Sequence, residues 1–431
     1  MMCVSTRGRA PRVNFRTAVL AGLAPDGGLY VPESWPRLEA DAWHRLRGAS
    51  LAEIGVATMG AFMDDSLDGA SLRALLAEAI NFPVPIVPLT NDLSVVELFH
   101  GPTFAFKDFG ARVLARLMSR WHTDDAHPLT VLVATSGDTG GAVAQAFHGV
   151  PRTRVVVLYP HGRVSAVQEA QFTTLGGNVR AVAVEGSFDD CQRLAKEAFA
   201  DAGLRDAAHL TSANSISLGR LLPQMVYYAC AAVQHCGPAP LAICVPSGNV
   251  GNLAAGLMVQ RLGAPIVRFH AATNVNDTVP RYLETGHLEV RPSVATISNA
   301  MDVGNPSNLE RVRWMFGDDL QAVRQRVGGS AHGDAEVRDA MRTLDHAFGY
   351  VADPHTAVGY LGAQVHLGRH PGDHVMVLST AHPAKFGDVV HAALGHAAPV
   401  PEALSVAMAR PRLATHVMPV LDDLRPLLTR W

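Results

Sequence analysis

Two textures of apolar and polar positions divide this chain. Up to about residue 83, apolar residues recur at helical spacing in Ser50–Phe62 and Gly69–Asn81, after a turn-rich opening, GLAPDGGLYVPE. From Pro83 onward, short continuous apolar runs alternate with helical stretches. The runs are Leu129–Ala134, Arg154–Tyr159, Val179–Val184, Leu241–Val245, Ile266–Ala271 and His374–Ser379, each the length of a strand buried on both faces. Several lead into Gly-rich turns and amphipathic segments, the alternation expected of α/β architecture with mainly parallel sheets. Arg311–Tyr350 reads as helical and charged, and a Pro- and Ala-rich tail from about Pro399 reads as peripheral.

A hydrophobic fraction of 48% and a charged fraction of 17% over 431 residues fit a soluble chain with a large core. The formal charge of −3 gives no electrostatic reason to expect nucleic acid or an anionic membrane as partner. No apolar stretch reaches the length of a spanning helix, and Met1–Arg16 carries no secretory pattern. The five cysteines, Cys3, Cys191, Cys230, Cys236 and Cys244, form no C-x-x-C pair. They read as buried free thiols of a reducing cytoplasm rather than as a disulfide framework or zinc site. The twenty histidines include no H-E-x-x-H, and His370 and His374 read as surface residues of a Gly/Pro-containing loop.

Lysine usage changes the picture. Of 36 basic residues only Lys107, Lys196 and Lys385 are lysines. A primary amine can lose its proton near neutral pH and condense with a carbonyl, which a guanidinium cannot do. Lys107 lies in HGPTFAFKDFG, among Phe104, Phe106 and Phe109, at the start of a helical stripe. Desolvation there favours the neutral, nucleophilic amine. A snorkelling lysine is the plainer alternative. Lys196 reads as part of a solvated helix face (Asp189–Ala202), and Lys385 is as readily a surface lysine at a helix start as a residue near the site.

Two further segments share one plan. Strand Leu129–Ala134 feeds Thr135-Ser136-Gly137-Asp138-Thr139-Gly140-Gly141 and a helix from Ala142. Strand Leu241–Val245 feeds Pro246-Ser247-Gly248-Asn249-Val250-Gly251-Asn252 and a helix from Leu253. Free amides and the helix dipole favour an anion at such places, although each loop alone is equally readable as an ordinary βα turn. Neither is a Walker A or a G-x-G-x-x-G loop. Two anion loops with one shielded amine suit pyridoxal phosphate (PLP), with a phosphorylated or carboxylated substrate at the second loop.

These segments resemble the threonine synthase family, PLP enzymes built like the tryptophan synthase β chain. The ordered set runs through VSTRG, GLAPDGGLYVPE, ELFHGPTFAFKDFG, TSGDTG, LGGN, SANSISLGRLLPQ, PSGNVGNLAAG, AATNVNDTVPR, SNAMDVGNPSN and STAHPAKF. The resemblance implies two mainly parallel-sheet α/β domains with an added N-terminal helical domain. The expected bounds are 1–83 for the N-terminal domain, 84–225 for a smaller α/β domain with the lysine, 226–398 for a larger one with the cofactor-phosphate loop, and 399–431 for the tail. It implies that Lys107 condenses with the cofactor aldehyde and that Gly248, Asn249, Val250, Gly251 and Asn252 wrap its phosphate. Thr380, beside Ser379, would bond the pyridine nitrogen, and Ser136, Gly137, Asp138 and Thr139 would line the substrate side. Val250 and Asn252 depart from the Phe and Asp usual in this branch of the family.

The implied reaction takes O-phospho-L-homoserine and water to L-threonine and phosphate, the last step of threonine biosynthesis. It implies a cytoplasmic monomer or small homo-oligomer with no metal, nucleic-acid or membrane partner. Arg220 is a candidate for the substrate phosphate, because a planar fork suits such anions. Asn274, Asn276, Asp277, Asn299 and Asp302 are as readily loop-holding Asx residues as ligand contacts. A phospho-lyase releasing 2-oxobutyrate from the same substrate is the alternative within this fold. A dehydratase of serine or threonine, or a catalytically silent PLP-binding protein, fits less of the motif set.

Overall fold

The computed structural model describes residues 1–63, 66–124 and 126–431. The apolar runs become two open sheets of mainly parallel strands. One has six strands: β4 (Ile86–Pro88), β5 (Leu93–Glu97), β10 (Leu241–Pro246), β11 (Arg268–Thr273), β12 (Val327–Ala331) and β13 (His374–Ser379). Their order is β12-β11-β10-β13-β5-β4, parallel except for the antiparallel edge pair β4–β5. The other has β6 (Leu129–Ala134), β7 (Thr153–Pro160), β8 (Val179–Val184), β9 (Leu210–Ser212) and β14 (Ala414–Val417), ordered β14-β8-β7-β6-β9 and parallel throughout. Every residue of β10 is buried, as an unalternating apolar run requires when helices cover both faces.

The six apolar runs read from sequence are all strands, with Ile266–Ala271 shifted to Arg268–Thr273. Other expectations need correction. The segment 1–83 is not only helical: β1 (Met2–Ser5), β2 (Val13–Asn14) and β3 (Tyr30–Pro32) form an antiparallel sheet, ordered β2-β1-β3. The charged stretch 311–350 is interrupted by β12. Strands β4 and β5, at the start of the expected 84–225 unit, pair into the sheet of β10 and β13 instead of that of β6. The expected peripheral tail supplies β14, and Leu424 and Leu428 of its last helix are fully buried in the apolar cluster with Cys191 and Leu194. Cys236 is exposed, the other four cysteines are buried, and none forms a disulfide.

The N-terminal segment shares a core with the rest of the chain. Phe15, Phe62 and Leu76 belong to one buried cluster with Phe109, Tyr227, Tyr228 and Phe269. Ser50 and Glu53 close a capping box on the helix Leu51–Met59. That helix packs on Met225–Gln234, where a Cβ on Gly55 would lie 3.4 Å from Val226.

The helix Pro354–Arg369 lies closely on the six-stranded sheet. Pro354 stands in its first turn and the Asp353 carboxylate accepts from the His355 and Thr356 amides. Glycines permit the approach: a Cβ on Gly362 would meet Ala272 Cβ at 2.6 Å and Cys244 Sγ at 2.9 Å. Gly362→Ala therefore overpacks the layer, and we expect it to cost about 1–3 kcal/mol. A lowered urea midpoint with unchanged slope would register this loss, whereas an unchanged midpoint would show that the helix lifts without penalty.

Candidate active site

Strands β10, β13 and β5 are neighbours and run parallel, so the segments that follow them open at the same sheet edge. After β5 the chain reaches Lys107, first residue of the helix Lys107–Trp121. After β13 comes Thr380, and after β10 the loop that enters the helix Gly251–Arg261. The first two are tied by backbone. Phe106 N–H donates to the Thr380 carbonyl at 2.9 Å, and His382 N–H to that of Phe104 at 3.1 Å.

The loop after β10 turns sharply. Val250 holds φ +61°, a left-handed conformation that a β-branched residue rarely adopts. Asn249 and Asn252 use their side chains internally. Asn249 Nδ2 donates to Ser215 Oγ at 2.8 Å, and Asn252 Oδ1 accepts from the Tyr227 and Tyr228 hydroxyls at 2.7 Å each. Among the described residues, no protein acceptor meets the amides of Gly248 to Asn252, and the buried Asn252 Nδ2 is also unpartnered. Unsatisfied donors at a helix N-terminus make a cradle for an anion.

A polar brace holds that cradle. Asn274 Nδ2 donates to Asp302 Oδ1 and to Thr296 Oγ1, both at 2.8 Å, and Asn274 Oδ1 receives the Asn276 amide at 3.0 Å. This fixes the segment whose Met301 Cα lies 2.8 Å from where a Gly248 Cβ would be. Ala300 N–H donates to His355 Nε2 at 3.2 Å, and His355 Nδ1 lies 2.7 Å from Asp353 Oδ1. Thr356 Oγ1 donates to Asp353 Oδ2 and lies 2.7 Å from Ser379 Oγ, next to Thr380. Asn274, Asn276 and Asp302 thus hold loops; burial pushes Asp302 up to about 6. Asp277 precedes the helix Thr278–Thr285 without a side-chain cap bond, and Asn299 Oδ1 is buried without a partner.

The loop after β6 faces this edge from the other sheet. Thr135 Oγ1 accepts from the Gly137 and Gly140 amides at 2.9 and 2.8 Å, leaving those of Ser136, Asp138 and Thr139 without a protein acceptor among the described residues. Gly137 has φ +140°, and a Cβ there would strike the Gln168 carboxamide at 2.4 Å. The helix begins at Asp138, four residues earlier than expected. The Asp138 carboxylate points away from the loop: Lys385 Nζ lies 2.7 Å from Oδ1, and Gln168 Nε2 donates to the same oxygen at 2.9 Å.

Lys385 is therefore not a surface lysine. It is fully buried, and Nζ also donates to the Thr103 carbonyl at 2.8 Å. Thr103 in turn donates to both Asp108 oxygens, from Oγ1 at 2.6 Å and N–H at 2.8 Å. The scarcity of lysine that singled out Lys107 applied equally to Lys385. Lys196 is exposed, as read.

Cations prevail in this cleft. Lys107 faces it beside the Phe106 ring, 5.9 Å from Nζ to centroid. Burial, with Arg220 and Lys385 nearby, draws its amine down to about 8 against the pull of Asp138. Burial lifts Asp108 to about 6 despite its Thr103 bonds. Burial alone would raise Asp138, but Lys385 and Lys107 outweigh it and hold the carboxyl well below the usual range. Arg220 is 3% exposed, with Nη1 on the Ala213 carbonyl, Nε unpartnered, and no carboxylate in ion-pair contact among the described residues. Burial draws it down to about 10.

Comparison with known proteins decides the family. The model for pyridoxal-phosphate dependent enzymes matches residues 84–381, that for the threonine synthase N terminus residues 2–80, and that for the threonine synthase C-terminal region residues 356–426. Threonine synthase of Serratia marcescens is 43% identical over 97% of this chain and 96% of its own length. The chain belongs to the threonine synthase family. Among solved structures, threonine synthase from Escherichia coli superposes with a TM-score of 0.94 at 40% identity, covering 99% of each chain. PLP-bound threonine synthase from Brucella melitensis gives 0.93 at 37% identity, covering 100% of this chain and 99% of its own.

As a member of this family the protein is a PLP-dependent enzyme. The residues present fit that cofactor: a shielded amine at Lys107, a hydroxyl at Thr380 beside it, and a donor-rich cradle at the same sheet edge. The amine itself can be tested without cofactor. In cofactor-free protein, Lys107 carries its proton below pH about 8 and is free above it, so its acylation rises with a midpoint near 8. Peptide mapping after pH-stepped acylation measures this; a midpoint near about 10.4 would mark an ordinary solvated lysine.

Proposed function

We propose that this chain converts O-phospho-L-homoserine and water into L-threonine and phosphate, with Lys107 as cofactor anchor and base. One observation carries the assignment of residues: a shielded amine lies within electrostatic reach of a buried guanidinium that has no carboxylate in ion-pair contact among the described residues, and two helix N-termini offer unpartnered amides. Four buried cysteines, none in a disulfide, support the cytoplasm as its compartment. No described helix is long and apolar enough to cross a membrane. We take the working form to be a monomer or small homo-oligomer.

The geometry supports the following roles. Amides of Gly248, Asn249, Val250, Gly251 and Asn252 would hold the cofactor phosphate, and Thr380 would bond the pyridine nitrogen. When bound, the cofactor supplies the electron sink that makes the α and β C–H bonds of an amino acid acidic. Lys107 would take the α proton; an amine drawn toward neutrality is matched to that task. Arg220 draws the substrate phosphate and steadies it as it leaves the γ carbon. Ser136, Gly137 and Thr139 line the opposite wall with amides and hydroxyls, and Asp138 positions that wall through Lys385. Water then adds at the β carbon.

Product analysis of the holoenzyme with O-phospho-L-homoserine tests the reaction. Phosphate and threonine in equal amounts are expected; phosphate with 2-oxobutyrate would move the function to a phospho-lyase, and no phosphate would refute the substrate. Lys107→Ala should lower kcat by about 10²–10⁴-fold or more. For Arg220, loss of a charge-assisted bond of about 1.5–3 kcal/mol predicts that Arg220→Lys raises KM about tenfold or more. An unchanged KM in a variant with native circular dichroism would remove Arg220 from the phosphate site.

A further inference from the structure

Three metal-ligating side chains converge at the edge of the five-stranded sheet. His161 follows β7, Glu185 follows β8, and His416 lies on β14. These strands are neighbours and parallel, so register alone brings the three residues together: Pro160 pairs with Val184, and Val184 with Val417. Backbone bonds lock the placement. His161 N–H donates to the Val184 carbonyl and Glu185 N–H to that of Val417, each at 3.0 Å.

Both imidazoles turn the same atom inward. His161 Nδ1 and His416 Nδ1 each lie 3.0 Å from Glu185 Oε1, and the rings meet edge to face at 4.6 Å. All three ligand atoms lie within 4.8 Å of one another. Zinc bonds of about 2.0–2.2 Å in tetrahedral geometry separate ligand atoms by about 3.3 Å, close to the spacing already present. Two neutral imidazoles and a carboxylate suit zinc and its neighbours in the first transition series. As exposed hydrogen bonds alone, these contacts contribute little to holding β14.

We propose that His161, Glu185 and His416 bind one divalent transition-metal ion, Zn²⁺ or a neighbour in its series. Three protein ligands leave a fourth position to water. The ion acts as a clip that pins β14 to β8 and β7. The three side chains are separate from the residues assigned to the reaction above.

The test uses untagged holoenzyme in phosphate-free buffer, titrated with Zn²⁺ against a chromophoric chelator. One saturable ion per chain with micromolar or tighter affinity is expected. His161→Ala, His416→Ala and Glu185→Gln should each weaken it about tenfold or more, since losing even an outer-shell partner costs about 10–100-fold. Zn²⁺ should raise the Tm of the native protein but not of the His161→Ala/His416→Ala double variant. Undiminished affinity in that variant would assign the zinc to other histidines or to Cys236 and overturn the proposal. Absence of saturable binding in the native protein would do the same. The three side chains are exposed, so the variants should fold.

Discussion

Lys385 and Asp138 come from segments that follow strands of different sheets, and their charged ends meet at 2.7 Å where water is excluded. Burying two charges carries a desolvation cost that attraction between them does not reliably exceed, so the pair is poorly explained as a source of stability. Its value is positional. Removing one partner would strand the other as a buried charge, at about 3–5 kcal/mol, so the loops keep their spacing. Lys385 also grips the Thr103 carbonyl, four residues before Lys107. One ammonium thereby sets the amine, the opposite wall and the gap between them.

The same pair shapes the electrostatics. Asp138 makes its close contacts with Lys385 and Gln168, so its pull on Lys107 is outweighed by burial, and Arg220 has no carboxylate in ion-pair contact among the described residues. Both ends of the cleft can then receive anions, one at the cradle of Gly248–Asn252 and one near Arg220. The cradle is held in a conformation it would not adopt alone. A residue such as Val250 in the left-handed region costs about 1–3 kcal/mol, offset here by the packing of Met301 on Gly248 and the Asn274–Asp302 bonds behind it. Donors fixed in advance need not reorganise when charge arrives.

Much of this was legible in the residues. Strands β6, β8 and β13 were found to the residue because a run of six mainly apolar positions between turns has few other uses. Lys107 stood out by its aromatic neighbours, and both loops by glycines before a helix. What was illegible came from distance along the chain. Strands β1, β2, β3, β9 and β14 have two to four residues each, too few to show a period, and exist because a partner strand receives them. Lys385 had no local sign of burial: its partners lie 247 and 282 positions away, at Asp138 and Thr103. Cys236 sat in an apolar stretch yet emerged at the surface, since its segment ends a helix rather than continuing one.

The order of strands in the larger sheet has a consequence for the chain as it is made. β13 lies between β10 and β5, so β5 has no parallel partner until residues 374–379 have left the ribosome. The segment bearing Lys107 is by then long exposed, with its sheet edge open and its loop unanchored. Strand β5 must wait for that late strand, with only the antiparallel β4 beside it. Such long-range closure is slow, because loop entropy is lost before the contacts that reward it can form. The five-stranded sheet has four of its strands by residue 212 and can assemble first. Synthesis thus favours an order in which the sheet bearing Asp138 forms before the sheet behind Lys107 is complete. The reactive amine reaches its shielded setting only when the sheet beneath it is threaded through its centre.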